Sequence, residues 1–247
     1  MGLTNLEQFQ SKYVPPRGVS VWRPDNADGP LPVIYVHDGQ NLFEPERSYI
    51  GVDWGVDEAL SRLIHQGRVP AAMVVGVWNT PRRLDEYMPD HPWADDYLRF
   101  LVEELKPTID RNYSTLTGPE HTSVMGSSMG GLISLYALCE YPRTFGAAGC
   151  VSTHWPAGDG LTLDCMRRDL PSPGRHRIYF DYGTETADAP YEPYQHKADH
   201  IMWSRGYRQP ENWVTLKFHG ADHSERAWRE RIHRPLEFLL TGRLTPE

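Results

Sequence analysis

Positive charge is in short supply in this chain of 247 residues. It carries 25 lysines and arginines against 33 acidic residues, a formal net charge of −8. With no basic stretch to neutralise phosphates, nucleic acid and other polyanionic surfaces are not expected partners. Long apolar runs are also missing. Nothing approaches the roughly 20 consecutive apolar residues of a membrane span, and the start, Met1 to Tyr13, has no apolar core of signal-peptide length. A cytoplasmic location without membrane attachment is the expectation. Cysteine is scarce: Cys139, Cys150 and Cys165 are not spaced as metal pairs and read as buried free thiols in a reducing compartment. Low complexity, internal repeats and a linker that would split the chain are absent too. What remains is an ordinary globular composition, 39% hydrophobic and 23% charged, in a length that suits one large α/β domain spanning 1–247.

Strand and helix patterns alternate through most of that length. Val19–Trp22 reads as a first short strand at a sheet edge, followed by a turn from Asp25 to Pro30. Val33–Val36, Met73–Val77, Ala147–Val151, Ile178–Phe180 and Val214–Phe218 are continuous apolar or small-residue runs, as expected of strands buried on both faces. Helical spacing appears at Trp54 to Gln66, Tyr97 to Asp110, Pro193 to Gly206 and Ser224 to Leu240, the last with Pro235 as an expected kink. Asn79 to Trp93 reads as a long loop at a strand end. Alternation of this kind predicts a mainly parallel sheet with helices on both faces and a site at the C-terminal strand ends, without a large cap domain.

The stretch that organises the chain is Thr122 to Leu132. Gly126, Ser128 and Gly130 form G-x-S-x-G between a short apolar strand and a helix marked by Leu132, Ile133, Leu135, Tyr136 and Leu138. This is the nucleophile elbow of α/β-hydrolases. A serine lifted to the end of a buried strand needs a tight, strained turn, so its neighbours two residues away must be small. The following helix N-terminus directs free N–H groups toward the serine.

An elbow serine needs a base and an orienting carboxylate, in the chain order Ser, acid, His. His223, in the loop before the last helix, is preferred as base over His219, which lies closer to the last strand. The acid is expected after the strand ending at Tyr182, where Asp188 is preferred and Glu185 is the alternative; Asp181 is expected inside the strand. An oxyanion hole would use the N–H of Met129 and one from Gly39, Gln40 or Asn41. Trp78 and Trp155, just after strands, are candidates for a substrate pocket. Arg82 and Arg83 could meet an anionic group or be solvated. His196 and His200 lie four apart on an expected helix but have no third ligand nearby, so a surface pair is expected and no metal.

Taken together, these stretches resemble the esterase-D-type putative esterases of the α/β-hydrolase superfamily, a group that includes enterobactin, feruloyl and acetyl xylan esterases, S-formylglutathione hydrolases and mycolyltransferases. The resemblance rests on Tyr35 to Phe43, Arg83 to Pro89, Glu104 to Pro107 with Ile109 and Asp110, Met125 to Gly131, Phe180 to Thr184, and His223 to Glu225 with Trp228. It implies a small-molecule ester substrate and a Ser-acid-His triad with neither metal nor cofactor, with Ser128 as nucleophile and His223 as base. The acid varies in the group, so Asp188 and Glu185 both stay open. The reduced N-terminal region speaks against the siderophore esterases that carry an extra N-terminal domain. The expected activity is ester hydrolysis through an acyl-enzyme. Acyl transfer with the same triad, or ligand binding without catalysis, are the alternatives.

Overall fold

Eight strands form one sheet in the computed structural model, which describes residues 2–25 and 27–246. Met1, Glu247 and Asn26, the last in the turn predicted from Asp25 to Pro30, lie outside the described residues. The strands are β1 (Gly2–Phe9), β2 (Arg17–Arg23), β3 (Val33–His37), β4 (Met73–Val77), β5 (Thr122–Ser127), β6 (Ala147–Val151), β7 (Arg177–Gly183) and β8 (Trp213–Phe218). The helices are α1 (Val56–His65), α2 (Arg83–Glu86), α3 (Pro92–Arg99), α4 (Lys106–Asn112), α5 (Met129–Glu140), α6 (Leu161–Asp169), α7 (Glu192–Ser204), α8 (Glu225–Arg231) and α9 (His233–Thr241).

The strand order is β1-β2-β4-β3-β5-β6-β7-β8. Pairing is antiparallel from β1 through β2 to β4 and parallel from there on. After β3 the chain first runs outward to β4 and then returns to add β5 on the other side of β3. That reversal makes the carboxyl ends of β3 and β5 the topological switch point, where open α/β sheets leave a crevice. One apolar cluster covers the face that carries Leu98, Leu132, Leu135 and Met202; a second covers the other, with Leu60, Trp228, Leu236 and Phe238. Helix α5 is buried on all sides, down to its serine, Ser134. Burial of that kind explains why its sequence is apolar all round rather than on one stripe.

The structure departs from the sequence reading in places where a local signal was weak. The polar start forms β1, an exposed strand that pairs with β2, so β2 is not the sheet edge. The predicted helix at Tyr97 begins five residues earlier at Pro92, with the ring nitrogen of His91 accepting the N–H of Trp93 as a cap. It continues through a wide π-helical turn, Phe100–Leu105, into α4. Pro107 has no N–H for the carbonyl four residues back, which accounts for the altered register. The last helix breaks at Ile232 rather than at Pro235 itself. The missing N–H and the ring of Pro235 act on the carbonyl of Arg231, so the break falls upstream and Pro235 sits in the first turn of α9. The loop after β4 contains α2, anchored by a fully buried ion pair between Glu86 and Arg17. Helix α6 had no counterpart in the sequence reading.

Candidate active site

Ser128 occupies the turn between β5 and α5 at φ 57, ψ −119, a strained backbone for any residue with a side chain. Backbone bonds hold it there: its N–H donates to the Val151 carbonyl at 2.9 Å, and its carbonyl accepts from Gly131 at 3.0 Å and His154 at 3.2 Å. A Cβ at Gly126 would lie 2.8 Å from the Gly130 carbonyl carbon, so the strand needs glycine there for the helix backbone to pass.

The loops after β7 and β8 are laced to each other. The N–H groups of Thr184 and Glu185 donate to the Ala221 carbonyl, and that of Gly220 to the Thr184 hydroxyl. The N–H of His223 donates to the Thr186 hydroxyl at 2.9 Å. A short 3-10 turn, Thr186–Asp188, then directs Asp188 inward while Glu185 stays on the surface. His223 Nδ1 and Asp188 Oδ1 are 2.5 Å apart. The other oxygen of Asp188 accepts from the Ser152 hydroxyl and the Gly183 N–H, each at 2.6 Å. Burial by itself would push the Asp188 carboxyl up; the hydrogen bonds from His223, Ser152 and Gly183 outweigh it and hold the group below the usual carboxylate value. An ionised carboxylate only accepts, so the imidazole carries its proton on Nδ1 and keeps the Nε2 lone pair available. The rings of Trp228 and Tyr191 stand edge-on to the imidazole, at 5.0 and 5.9 Å between centroids. His219 is exposed.

Ser128 and His223 line the same cavity, of about 380 Å³, together with Gln40, Arg83, Trp54 and Trp228. The opposite wall comes from the end of β3. Asp38 adopts a left-handed backbone, φ 59, and starts the 3-10 turn Gly39–Asn41. A Cβ on Gly39 would lie 2.2 Å from the Gly76 backbone, so this close approach requires glycine. Among the three residues expected to supply an oxyanion donor, Asn41 has its N–H turned to the Asp38 carbonyl at 2.9 Å. Gln40 lines the cavity, and Gln40 Oε1 accepts the N–H of Asn79 at 3.1 Å. Met129 opens α5, and its N–H precedes the first carbonyl that the helix and its cap offer, that of Ser128, which accepts from Gly131.

Arg83 neither floats in solvent nor offers a free cation. It grips Asp38 with two bonds, Nε to Oδ1 at 2.7 Å and Nη2 to Oδ2 at 2.8 Å. Burial pulls the Arg83 guanidinium down, yet Asp38 overcomes this and keeps it above the ordinary arginine value. Arg82 instead stacks over Trp93. Beneath Asp38, His37 is fully buried with Nδ1 2.8 Å from the Tyr97 hydroxyl, and burial lowers it from 6.5 to about 3.

The expected pocket tryptophans are elsewhere. Trp155 is fully buried, packs on Phe180 and donates to Gln195, while Trp78 lies against Gly18 and donates to Ser20. The cavity wall takes Trp54 and Trp228 in their place, from the segments that precede α1 and build α8. Trp54 escaped notice because it looked like the first residue of a helix, whereas its N–H bonds the Asn41 carbonyl and fixes it in the loop. His196 and His200 lie on the exposed side of α7, and no group of three or more candidate metal ligands occurs among the described residues. All three cysteines are free and buried, and no helix among the described residues is long and apolar enough to cross a membrane.

A mostly parallel sheet with a strained strand–turn–helix at its switch point defines an α/β-hydrolase fold. The chain belongs to the Putative esterase family, which it matches over residues 14–239. It is 24% identical over 232 residues to the uncharacterized protein YbbA of Bacillus subtilis, covering 85% of this chain and 86% of that one. It is 30% identical over 146 residues to the ferri-bacillibactin esterase BesA of the same organism, covering 50% and 48% of the two. Among solved structures, enterochelin esterase from Shigella flexneri superposes with a TM-score of 0.76 at 20% identity, over 98% of this chain and 59% of that chain. The chain thus spans well under two thirds of that esterase, and at this identity the likeness speaks for the fold.

Proposed function

We propose that the chain is a serine carboxylic-ester hydrolase acting on a small-molecule ester through an acyl-enzyme, with Ser128 as nucleophile, His223 as base and Asp188 as the orienting acid. Ser128 Oγ attacks the ester carbonyl carbon as its proton passes to His223 Nε2. The oxyanion so formed is held by the N–H of Met129 and by one from the Gly39–Gln40 segment. Collapse expels the alkoxide leaving group, which takes the proton from His223. Water attacks the acyl-enzyme next, giving a proton to the same nitrogen, and the acid departs as Ser128 regains its hydroxyl hydrogen.

The observation that carries this reading is the buried Asp188 carboxylate bonded to His223, which lines one cavity with a serine on a strained elbow. Glu185, exposed and bonded to Thr184, has no such contact. The test is mass spectrometry after exposure to a fluorophosphonate probe, beside a panel of p-nitrophenyl esters. A single adduct on Ser128 with ester turnover is expected, and Ser128→Ala should abolish the adduct and lower kcat by on the order of 10⁶. An adduct elsewhere, or near-normal turnover by the alanine variant, would overturn the assignment.

A further inference from the structure

Behind Asp188, at the end of β6, a serine stands in a conformation serine rarely adopts. Ser152 is fully buried at φ 41, in the left-handed region. Its N–H donates to Asp181, to the carbonyl at 3.0 Å and to Oδ1 at 3.1 Å, which pins the backbone despite the strain. Its hydroxyl lies 2.6 Å from Asp188 Oδ2, 3.1 Å from the indole nitrogen of Trp228 and 2.7 Å from Nη2 of Arg231.

Counting donors settles which way this hydroxyl points. An indole N–H and a guanidinium can only donate, so both lone pairs of the Ser152 oxygen are taken. Its single hydrogen is left with one acceptor, Asp188. The Gly183 N–H donates to the same carboxylate oxygen. Oδ2 therefore receives two donors and has no place for a proton, while Oδ1 faces His223. Arg231 is itself buried, 3% exposed, and shared with Asp181 at 3.4 Å, so its charge reaches Asp188 through the serine.

We propose that Ser152 is a positioning residue for the Asp188–His223 pair: its hydroxyl keeps Asp188 ionised and turned so that one oxygen is reserved for the imidazole. The inference rests on the triad reading above. Ser152 touches no substrate, so its effect belongs in kcat and in the pH profile rather than in KM. The charged and titratable groups around His223 are Asp188 and Tyr191 from the segment after β7, His154 from that after β6, Glu225 and, through Ser152, Arg231 from α8, Asp181 from β7, and Arg83 across the cavity. Removing the hydroxyl takes a donor from the carboxylate and leaves the others in place. The carboxylate then holds a proton on the imidazole more tightly, and the acidic limb of kcat/KM moves to higher pH.

The experiment compares Ser152→Ala and Ser152→Gly with the unsubstituted protein, normalising rates to active sites counted by the fluorophosphonate adduct on Ser128. Glycine suits the positive φ, so a well-folded variant without the hydroxyl is at hand even where alanine folds poorly. Both should lose roughly tenfold or more in kcat per active site, as for a hydrogen bond to a charged group, with KM little changed and the acidic limb displaced upward. Normal kcat per active site and an unmoved limb in the glycine variant, alongside an unsubstituted protein that labels at Ser128, would overturn this inference alone. An unsubstituted protein with no adduct and no ester turnover would overturn the triad reading and this inference with it.

Discussion

Two buried carboxylates follow strands of the sheet, and their partners differ in kind. Asp38 follows β3 and is held by Arg83 and Asn79; Asp188 follows β7 and is held by His223, Ser152 and Gly183. Both are almost excluded from solvent, and each receives more than one donor. Arginine stays charged at every accessible pH and offers a rigid fork, so Asp38–Arg83 is a fixed brace for the turn that carries Gly39 and Gln40. Histidine can gain or lose a proton on the nitrogen turned away from its carboxylate, so Asp188–His223 can pass a proton and reset. The same kind of buried acid is thus paired with a partner that stays charged in one place and with one that can titrate in the other.

The most severe way to break this contrast is to strip the titrating pair of its charge. Asp188→Asn should lower kcat by on the order of 10⁴ with little change in KM or thermal stability, because the amide favours the wrong imidazole tautomer. Steady-state kinetics beside a thermal melt checks it, and a loss shared equally with Glu185→Gln would erase the distinction between the two candidate acids.

Breaking the brace should look different. Arg83→Met leaves Asp38 buried with Asn79 as its side-chain donor, and should cost about 2–3 kcal/mol of stability. A misplaced Gln40 should lower kcat about tenfold through the oxyanion, and loss of the Arg83 charge across the cavity should move the acidic limb upward with KM free to change. Denaturant unfolding and a pH–rate series separate the two effects.

His37, below the brace, sharpens the comparison through pH. Its folded value, lowered by burial from 6.5 to about 3, means the unfolded chain binds the proton first as pH falls. Stability from this group is thus fully present above about 6.5 and is lost on acidification toward 3, at about 1.4 kcal/mol per pH unit within that window. His37→Phe should move the acid-unfolding midpoint to lower pH, at a cost near neutrality of about 1 kcal/mol for the hydrogen bond lost from the Tyr97 hydroxyl. An unchanged midpoint, read by circular dichroism, would contradict it. The smallest effect expected is that of Glu185→Gln, within about twofold of normal kcat, since this exposed side chain bonds to Thr184 rather than to His223.

Some of this was legible in sequence because it is local. The β5–α5 turn depends on small residues at fixed offsets from Ser128, and the buried strands announce themselves as apolar runs whatever lies beside them. The carboxylate that meets His223 was legible to within three residues. Asp188 and Glu185 share a loop, and a 3-10 turn anchored by contacts to the β8–α8 loop decides which faces inward. Tryptophans at strand ends were a poor guide to the cavity: Trp155 packs into the core, and Trp54 and Trp228 approach from elements remote in sequence. Ser152 carried no signal at all, since a serine after a strand is commonplace until Trp228 and Arg231, some eighty residues later, are brought against it.

By itself, then, the sequence determined the alternation of strand and helix, and the strained serine between Gly126 and Gly130. These follow from steric limits on a few neighbouring residues and from the periodicity of burial. The tertiary structure alone decided that Asp188 meets His223, that Arg83 is spent on Asp38, and that Ser152 points its hydrogen at the acid. Each depends on distances between segments that fold independently of their spacing in the chain, and on which donors remain once backbone and core have taken theirs.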